Sequence, residues 1–220
     1  MLRINGKDVA VGMTTCPRSE SYIQESINSL IDNGWGVPLV YSDDDMRGDF
    51  WGFLQVAKLL LSAYPLADGY IILQDDVVAC MKPDGFEIRN VPVTDFHMVS
   101  LFTMHANLND ASERTWLSTG RRASLHEMKI STPKERANNC NGGIAYYAEK
   151  KFLEGLTLLA HTKYTPTPSV LGEICNKYNN TYLVSPVNIF EHIGEKSSLH
   201  PDKPHYKWDV SKAEGYRRKE

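Results

Sequence analysis

A chain of 220 residues with a formal net charge of −3 can enclose one substantial core, and its acidic balance gives a nucleic-acid partner little support. Apolar and charged residues make up 42% and 23%, as in ordinary globular proteins, and no apolar run reaches membrane-spanning length. Cys16, Cys80, Cys140 and Cys175 are scattered without CxxC spacing, which argues against a zinc knuckle or disulfide scaffold and fits reduced thiols in a cytoplasmic protein.

Met1 to Asp8 is polar and shows no leader pattern. Val9-Ala10-Val11-Gly12-Met13 reads as a short strand breaking into Thr14-Thr15-Cys16-Pro17-Arg18. Ser19-Glu20-Ser21 then opens a helix in which Tyr22, Ile23, Ile27, Leu30 and Ile31 recur at helical spacing, and Asn33-Gly34 supplies the C-terminal stop. Pro38 to Ser42 is a second strand ending in Asp43-Asp44-Asp45. A second helix is expected from about Trp51 to Tyr64, with Phe53, Leu54, Ala57, Leu60 and Leu61 on one face and Pro65 as its end.

Gly69-Tyr70-Ile71-Ile72-Leu73-Gln74-Asp75-Asp76-Val77-Val78 follows. Its continuous apolar run reads as a strand covered on both faces, ending in two adjacent carboxylates. The β-α-β-α-β order implies right-handed crossovers and a parallel sheet, whose ligands bind beyond the strands' carboxyl ends. Adjacent carboxylates repel unless a cation or hydrogen-bond donors compensate. A hard divalent ion carrying substrate phosphates would supply that compensation.

The second half is less regular. His97 to Thr103 reads as a strand, and the polar stretch from about Asn107 to Asn139 as a loop or insertion. Asn141-Gly142-Gly143 leads back into order, helices are expected over Glu149 to His161 and Ser169 to Tyr178, Tyr182-Leu183-Val184 reads as a strand, and Asn188 to Gly194 as a functional loop. With no repeats or linkers, residues 1–220 read as a single α/β domain, ending in a tail at 201–220 whose last residues, Tyr216 to Glu220, are basic and solvated.

Four segments, in order, resemble nucleotide-sugar glycosyltransferases of the GT-A fold. Gln74-Asp75-Asp76 resembles their acidic DxD-type signature. Val11 to Arg18 looks like their first strand and uridine-binding turn, Asn141-Gly142-Gly143 like the glycine turn beneath the donor sugar, and His192-Ile193-Gly194-Glu195-Lys196-Ser197-Ser198-Leu199 like their late His-x-Gly segment. The resemblance covers about Val9 to Leu199 and implies a nucleotide-binding half at about 1–105 and an acceptor and metal half at about 106–200. The compact size is also similar to that of glycosyltransferase domains of large DNA viruses, which would place the protein in a host cytoplasm.

The resemblance implies a Rossmann-like, mixed and mainly parallel sheet flanked by helices, and transfer of a sugar from a UDP-sugar to a hydroxyl of a glycan or glycoprotein. It makes Asp76 the direct metal ligand and His192 the second. Imidazole suits borderline metals, so Mn²⁺ is expected to serve better than Mg²⁺. Asp75 and Gln74 would address the nucleotide or sugar, and Gln74 in place of the family's frequent first acid leaves a weaker metal site. Thr14, Thr15, Arg18 and Asp44 would face the nucleotide, Asn141, Gly142 and Gly143 the sugar, and Lys196 the diphosphate. Inverting members carry an Asp base near the start of the late helix. Here Thr165 to Gly172 lacks one, so Glu173 is the candidate base, and a retaining mechanism that needs none stays open.

Two rivals stand beside this reading. A non-catalytic sugar- or nucleotide-binding module, or degenerate transferase, would explain Gln74 and the missing Asp. A sugar nucleotidyltransferase would need an early glycine-rich basic phosphate loop, which Thr14-Thr15-Cys16-Pro17-Arg18 does not provide.

Overall fold

The computed structural model describes residues 1–4, 6–18, 21–85, 98–101, 126–127, 144–158, 167, 170–171, 182–184 and 189–194. Strands β1 (Leu2–Ile4) and β2 (Lys7–Thr15) are followed by helix α1 (Ile23–Asp32), β3 (Leu39–Ser42), α2 (Asp49–Ala63), β4 (Gly69–Gln74) and β5 (Val77–Ala79). After these come β6 (Met98–Ser100), β7 (His126–Glu127), β8 (Ala145–Glu149), α3 (Lys150–Thr157), β9 (Tyr182–Val184) and β10 (Phe190–His192).

The main sheet runs β1-β2-β4-β8-β6-β9-β7, with β3 also paired to β2. β3 and β4 both lie parallel to β2, and β8 turns antiparallel to β4 and β6. The fold is therefore the expected α/β arrangement: a mixed sheet with a parallel core, flanked by helices, in one domain. The chain leaves β2 for one neighbour through α1, then reaches the other neighbour through α2. The carboxyl ends of β2 and β4 thus flank a topological switch point, the place where open α/β sheets bind ligands.

Alternation along the strands divides the core. Val9, Val11, Met13, Ile71 and Leu73 face α1 through Leu30 and Trp35, whereas Ala10, Tyr70 and Ile72 face α2 through Phe53, Val56, Ala57 and Leu60. Burial of each such large side chain contributes about 1.5–3 kcal/mol, so the strand carrying the two carboxylates is anchored on both faces. Gly12 permits the tight seat of α2. A Cβ there would lie 2.6 Å from Val56 Cγ1 and 2.9 Å from Leu60 Cδ1.

The strand expected over residues 69–78 stops at Gln74, turns at Asp75 and Asp76, and restarts as β5. Helix α1 begins at Ile23, after a Tyr22 N-cap without a side-chain bond, and ends as expected, with Gly34 at φ +80° and Trp35 N–H donating to Leu30 O at 2.8 Å. Helix α2 starts two residues before the expected Trp51.

Two other expectations are revised, and one segment to which the sequence reading gave no element forms a strand. The polar N-terminal segment forms β1, paired with β2 around Gly6 at φ +80°; Asn5-Gly6 is a hairpin dipeptide that marks this turn in the sequence. The stretch expected as a loop between Asn107 and Asn139 contains β7, which finds its partner in β9. The expected loop at 188–194 contains β10, whose backbone pairs antiparallel with β5. In both cases a distant strand supplies the hydrogen bonds that make a short segment extended. Within the late helix expected at 169–178, Val170 and Leu171 are helical. Among the described residues no helix is long and apolar enough to cross a membrane.

Candidate active site at the carboxyl ends of β2 and β4

The β5/β10 ribbon brings together residues more than a hundred positions apart. His192 pairs with Val77, and Ile193 N–H donates to Asp76 O at 2.9 Å. The ribbon is fixed from below by Trp35, whose ring lies 5.0 Å from that of Phe190 and whose Nε1–H donates to Met81 O at 2.7 Å. As a result, His192 Nε2 sits 3.2 Å from Asp76 Oδ2. Gly194 closes the same corner: a Cβ there would be 2.7 Å from Asp76 Oδ2 and 3.1 Å from His192 Nε2.

Asp75 and Asp76 are 1% and 4% exposed. Asp75 is saturated. Thr15 Oγ1 donates to one of its oxygens and Arg18 Nη2 to the other, while Ser26 Oγ donates to its backbone carbonyl at 2.7 Å. Arg18 Nη1 donates to Asp76 Oδ2 at 3.1 Å. One guanidinium therefore bridges both carboxylates, supplying the compensating positive charge that the sequence left to a metal. Among the described residues, Asp76 Oδ1 is buried with no hydrogen-bond partner, as is Arg18 Nε.

Burial pushes the Asp76 carboxyl up, but the bond and charge of His192 and the charge of Arg18 outweigh it and hold the carboxyl at about 2. Asp75 moves the other way. Burial raises it, and the neighbouring Asp76 adds to the rise, against the donors Thr15 and Arg18. One turn therefore holds two adjacent carboxyls with opposed proton affinities.

Asp76 and His192 fit a divalent cation as a partial set. The unpartnered buried oxygen and the carboxylate–imidazole chemistry suit such an ion. Among the described residues no cluster of three or more His, Cys, Asp or Glu side chains could hold one alone. The remaining ligands would have to come from substrate, as phosphates do for hard cations.

The other residues named from the sequence divide into three groups. Thr15 and Arg18 join the carboxylates, whereas Thr14 points away from them, its Oγ1 packed where a side chain at Gly52 would lie. Asp44 is exposed at the end of β3 and accepts from Ser42 Oγ. Its neighbour Asp43 is buried and structural, accepting from Gly48 N–H at 2.9 Å. Gln74 is turned to α2, donating to Asp49 Oδ1 at 2.8 Å. Asn141, Gly142, Gly143, Glu173 and Lys196 lie outside the described residues.

Sequence reasoning missed Asp49. Besides Gln74 it accepts Thr167 N–H at 2.8 Å, tying the start of α2 to the segment before the candidate base. Burial raises its carboxyl, partly offset by the Thr167 and Gln74 bonds. Because the sequence reading began α2 at Trp51, it anticipated neither the place of Asp49 in the helix's first turn nor its pairing with Gln74.

No family model matches the chain, and no curated protein matches it. Among solved structures it is similar to a glycosyltransferase involved in the glycosylation of the major capsid of PBCV-1, at TM-score 0.47 and 9% identity over 80% of this chain and 81% of that one. It is also similar to the inositol-1-phosphate CTP transferase from T. maritima (TM-score 0.39, 12% identity, 82% and 67% covered). A third is a CMP:2-keto-3-deoxy-manno-octonic acid synthetase complexed with CTP (TM-score 0.37, 13% identity, 80% and 88% covered).

Proposed function

We propose that the protein is a metal-dependent glycosyltransferase that moves a sugar from a UDP-sugar to an acceptor hydroxyl of a glycan or glycoprotein. The observation that carries this reading is the Asp76–His192 pair at the sheet's switch point, with one buried Asp76 oxygen that has no partner among the described residues. Asp76 and His192 would hold Mn²⁺ or, less well, Mg²⁺, and donor phosphates would complete the coordination. When bound, the cation offsets the charge of the departing diphosphate. Arg18 and Lys196 add positive charge for the phosphates, and Thr15 holds Asp75 in place. Exposed Asp44 is the side chain available to ribose or uracil. Asn141, Gly142 and Gly143 would lie under the sugar, and Glu173 would take the acceptor proton if the reaction inverts.

The test is a panel of UDP-sugars, GDP-sugars and CTP, each screened for Mn²⁺-dependent thermal stabilisation and then for turnover. A donor that binds the folded state at a hundred times its Kd stabilises by about 2.7 kcal/mol. A UDP-sugar that stabilises and is slowly hydrolysed or transferred supports the proposal. Stabilisation without turnover would favour a binding module, and a response to CTP alone a nucleotidyltransferase.

A further inference from the structure

The Arg18 guanidinium occupies the side of Asp76 that faces His192: both donate to the same carboxylate oxygen, Arg18 at 3.1 Å and His192 at 3.2 Å. Without a ligand, the two carboxylates thus have a resident monocation, and a divalent ion entering between Asp76 and His192 meets a positive charge already in place. The arrangement is not fully satisfied. Arg18 Nε and Asp76 Oδ1 are both buried and have no partner among the described residues, so these residues leave part of each group's hydrogen-bonding capacity unused. A diphosphate would offer the guanidinium a better matched anion, since phosphate oxygens accept its donors as a fork.

We propose that Arg18 is an exchangeable counter-ion that makes cation capture depend on a diphosphate. It neutralises Asp75 and Asp76 while the site is empty of ligand, and it swings from Asp76 to the diphosphate when a nucleotide brings the metal in. Asp75, held by Thr15 and with its carbonyl held by Ser26, is the fixed pivot of this exchange, because its bonds do not depend on Asp76. The inference rests on the reading of the site as a metal–diphosphate centre. It explains how two buried carboxylates persist without a metal, and it makes bare-cation binding weak by construction.

Mn²⁺ binding to the full chain, followed by loss of the free-ion paramagnetic resonance signal, tests this without reference to turnover. Wild type and Arg18→Gln are titrated with Mn²⁺ alone and with Mn²⁺ plus UDP, and both are checked for a cooperative melt. Removing the guanidinium is expected to tighten bare Mn²⁺ binding by about tenfold or more and to shrink the enhancement that UDP produces. If Gln at this position prevents folding, Arg18→Lys keeps the charge but cannot bridge two carboxylates as a fork, and a smaller gain in the same direction is expected. Wild type that takes up Mn²⁺ with UDP, beside a variant that binds the bare ion no better, would leave the metal–diphosphate reading standing and overturn the exchange. Uptake by neither protein under either condition would overturn both.

Discussion

The side-chain amide of Gln74 donates a 2.8 Å hydrogen bond to the carboxylate of Asp49, and this explains why the position before Asp75 is not an acid. A glutamate at 74 would place a second carboxylate against Asp49, whose own carboxyl burial already raises. We expect Gln74→Glu to destabilise the fold by about 2 kcal/mol or more. Adding Asp49→Asn reverses the donor and acceptor roles, because the Asn amide can donate to Glu while its carbonyl still accepts Thr167 N–H. The double variant should recover at least half of the loss in a denaturant double-mutant cycle. Additive losses would mean that the two side chains do not interact.

Two glycines separate effects on the fold from effects on the site. At Gly194 a methyl group would press on Asp76 Oδ2 and His192 Nε2, at 2.7 and 3.1 Å. Gly194→Ala is expected to lower Mn²⁺-dependent donor binding by about ten- to a hundredfold with little change in melting temperature. At Gly12 the methyl would meet Val56 and Leu60 instead. Gly12→Ala should cost about 1–3 kcal/mol of stability and leave donor affinity of the folded protein unchanged. A reversed pattern in melting and titration experiments would contradict this division.

The parallel core and its helices were legible because their signals are local: a two-sided apolar run from Tyr70 to Leu73, helical spacing from Ile23 to Ile31, and Asn33-Gly34 as a stop. The positions of Asp75 and Asp76 followed from the same run. What stayed hidden depends on partners far along the chain. β10 is extended because β5 pairs with it, and Gln74 faces Asp49 because α2 packs across β4. Arg18 read as a nucleotide ligand; only the turn's three-dimensional course shows it bridging both carboxylates. The proximity of His192 to Asp76 was expected from family likeness, not from spacing.

Stability should depend on Asp76 at low pH. Its carboxyl sits at about 2 in the fold against an ordinary value of 3.8. A depressed folded value means that ionised Asp76 stabilises the native state above about pH 4 and that this contribution is lost as pH falls from about 4 to about 2. The shift corresponds to roughly 2 kcal/mol. Asp75 and Asp49 are raised and act in the opposite sense, so the informative quantity is a difference. Between pH 5 and pH 2.5, wild type should lose about 1.5 kcal/mol more unfolding free energy than Asp76→Asn. Parallel pH profiles for the two proteins would show that Asp76 is not held down by His192 and Arg18.

Asp76→Asn also tests the chemistry, because it keeps the shape of the side chain while removing its charge. Asp75 remains with Arg18 and Thr15, so the turn keeps its main ties and the protein should fold. Without the carboxylate, His192 is left as the only proposed metal ligand, which does not hold a hard cation beside a diphosphate. Mn²⁺-dependent stabilisation by the donor should vanish, and turnover should drop by about a thousandfold or more. His192→Asp asks a finer question of the same site. Exchanging imidazole for carboxylate should lower the ratio of Mn²⁺- to Mg²⁺-supported activity while preserving donor binding, since oxygen ligands suit the harder ion. Full activity in Asp76→Asn, or an unchanged metal preference in His192→Asp with activity intact, would remove the metal from these two residues.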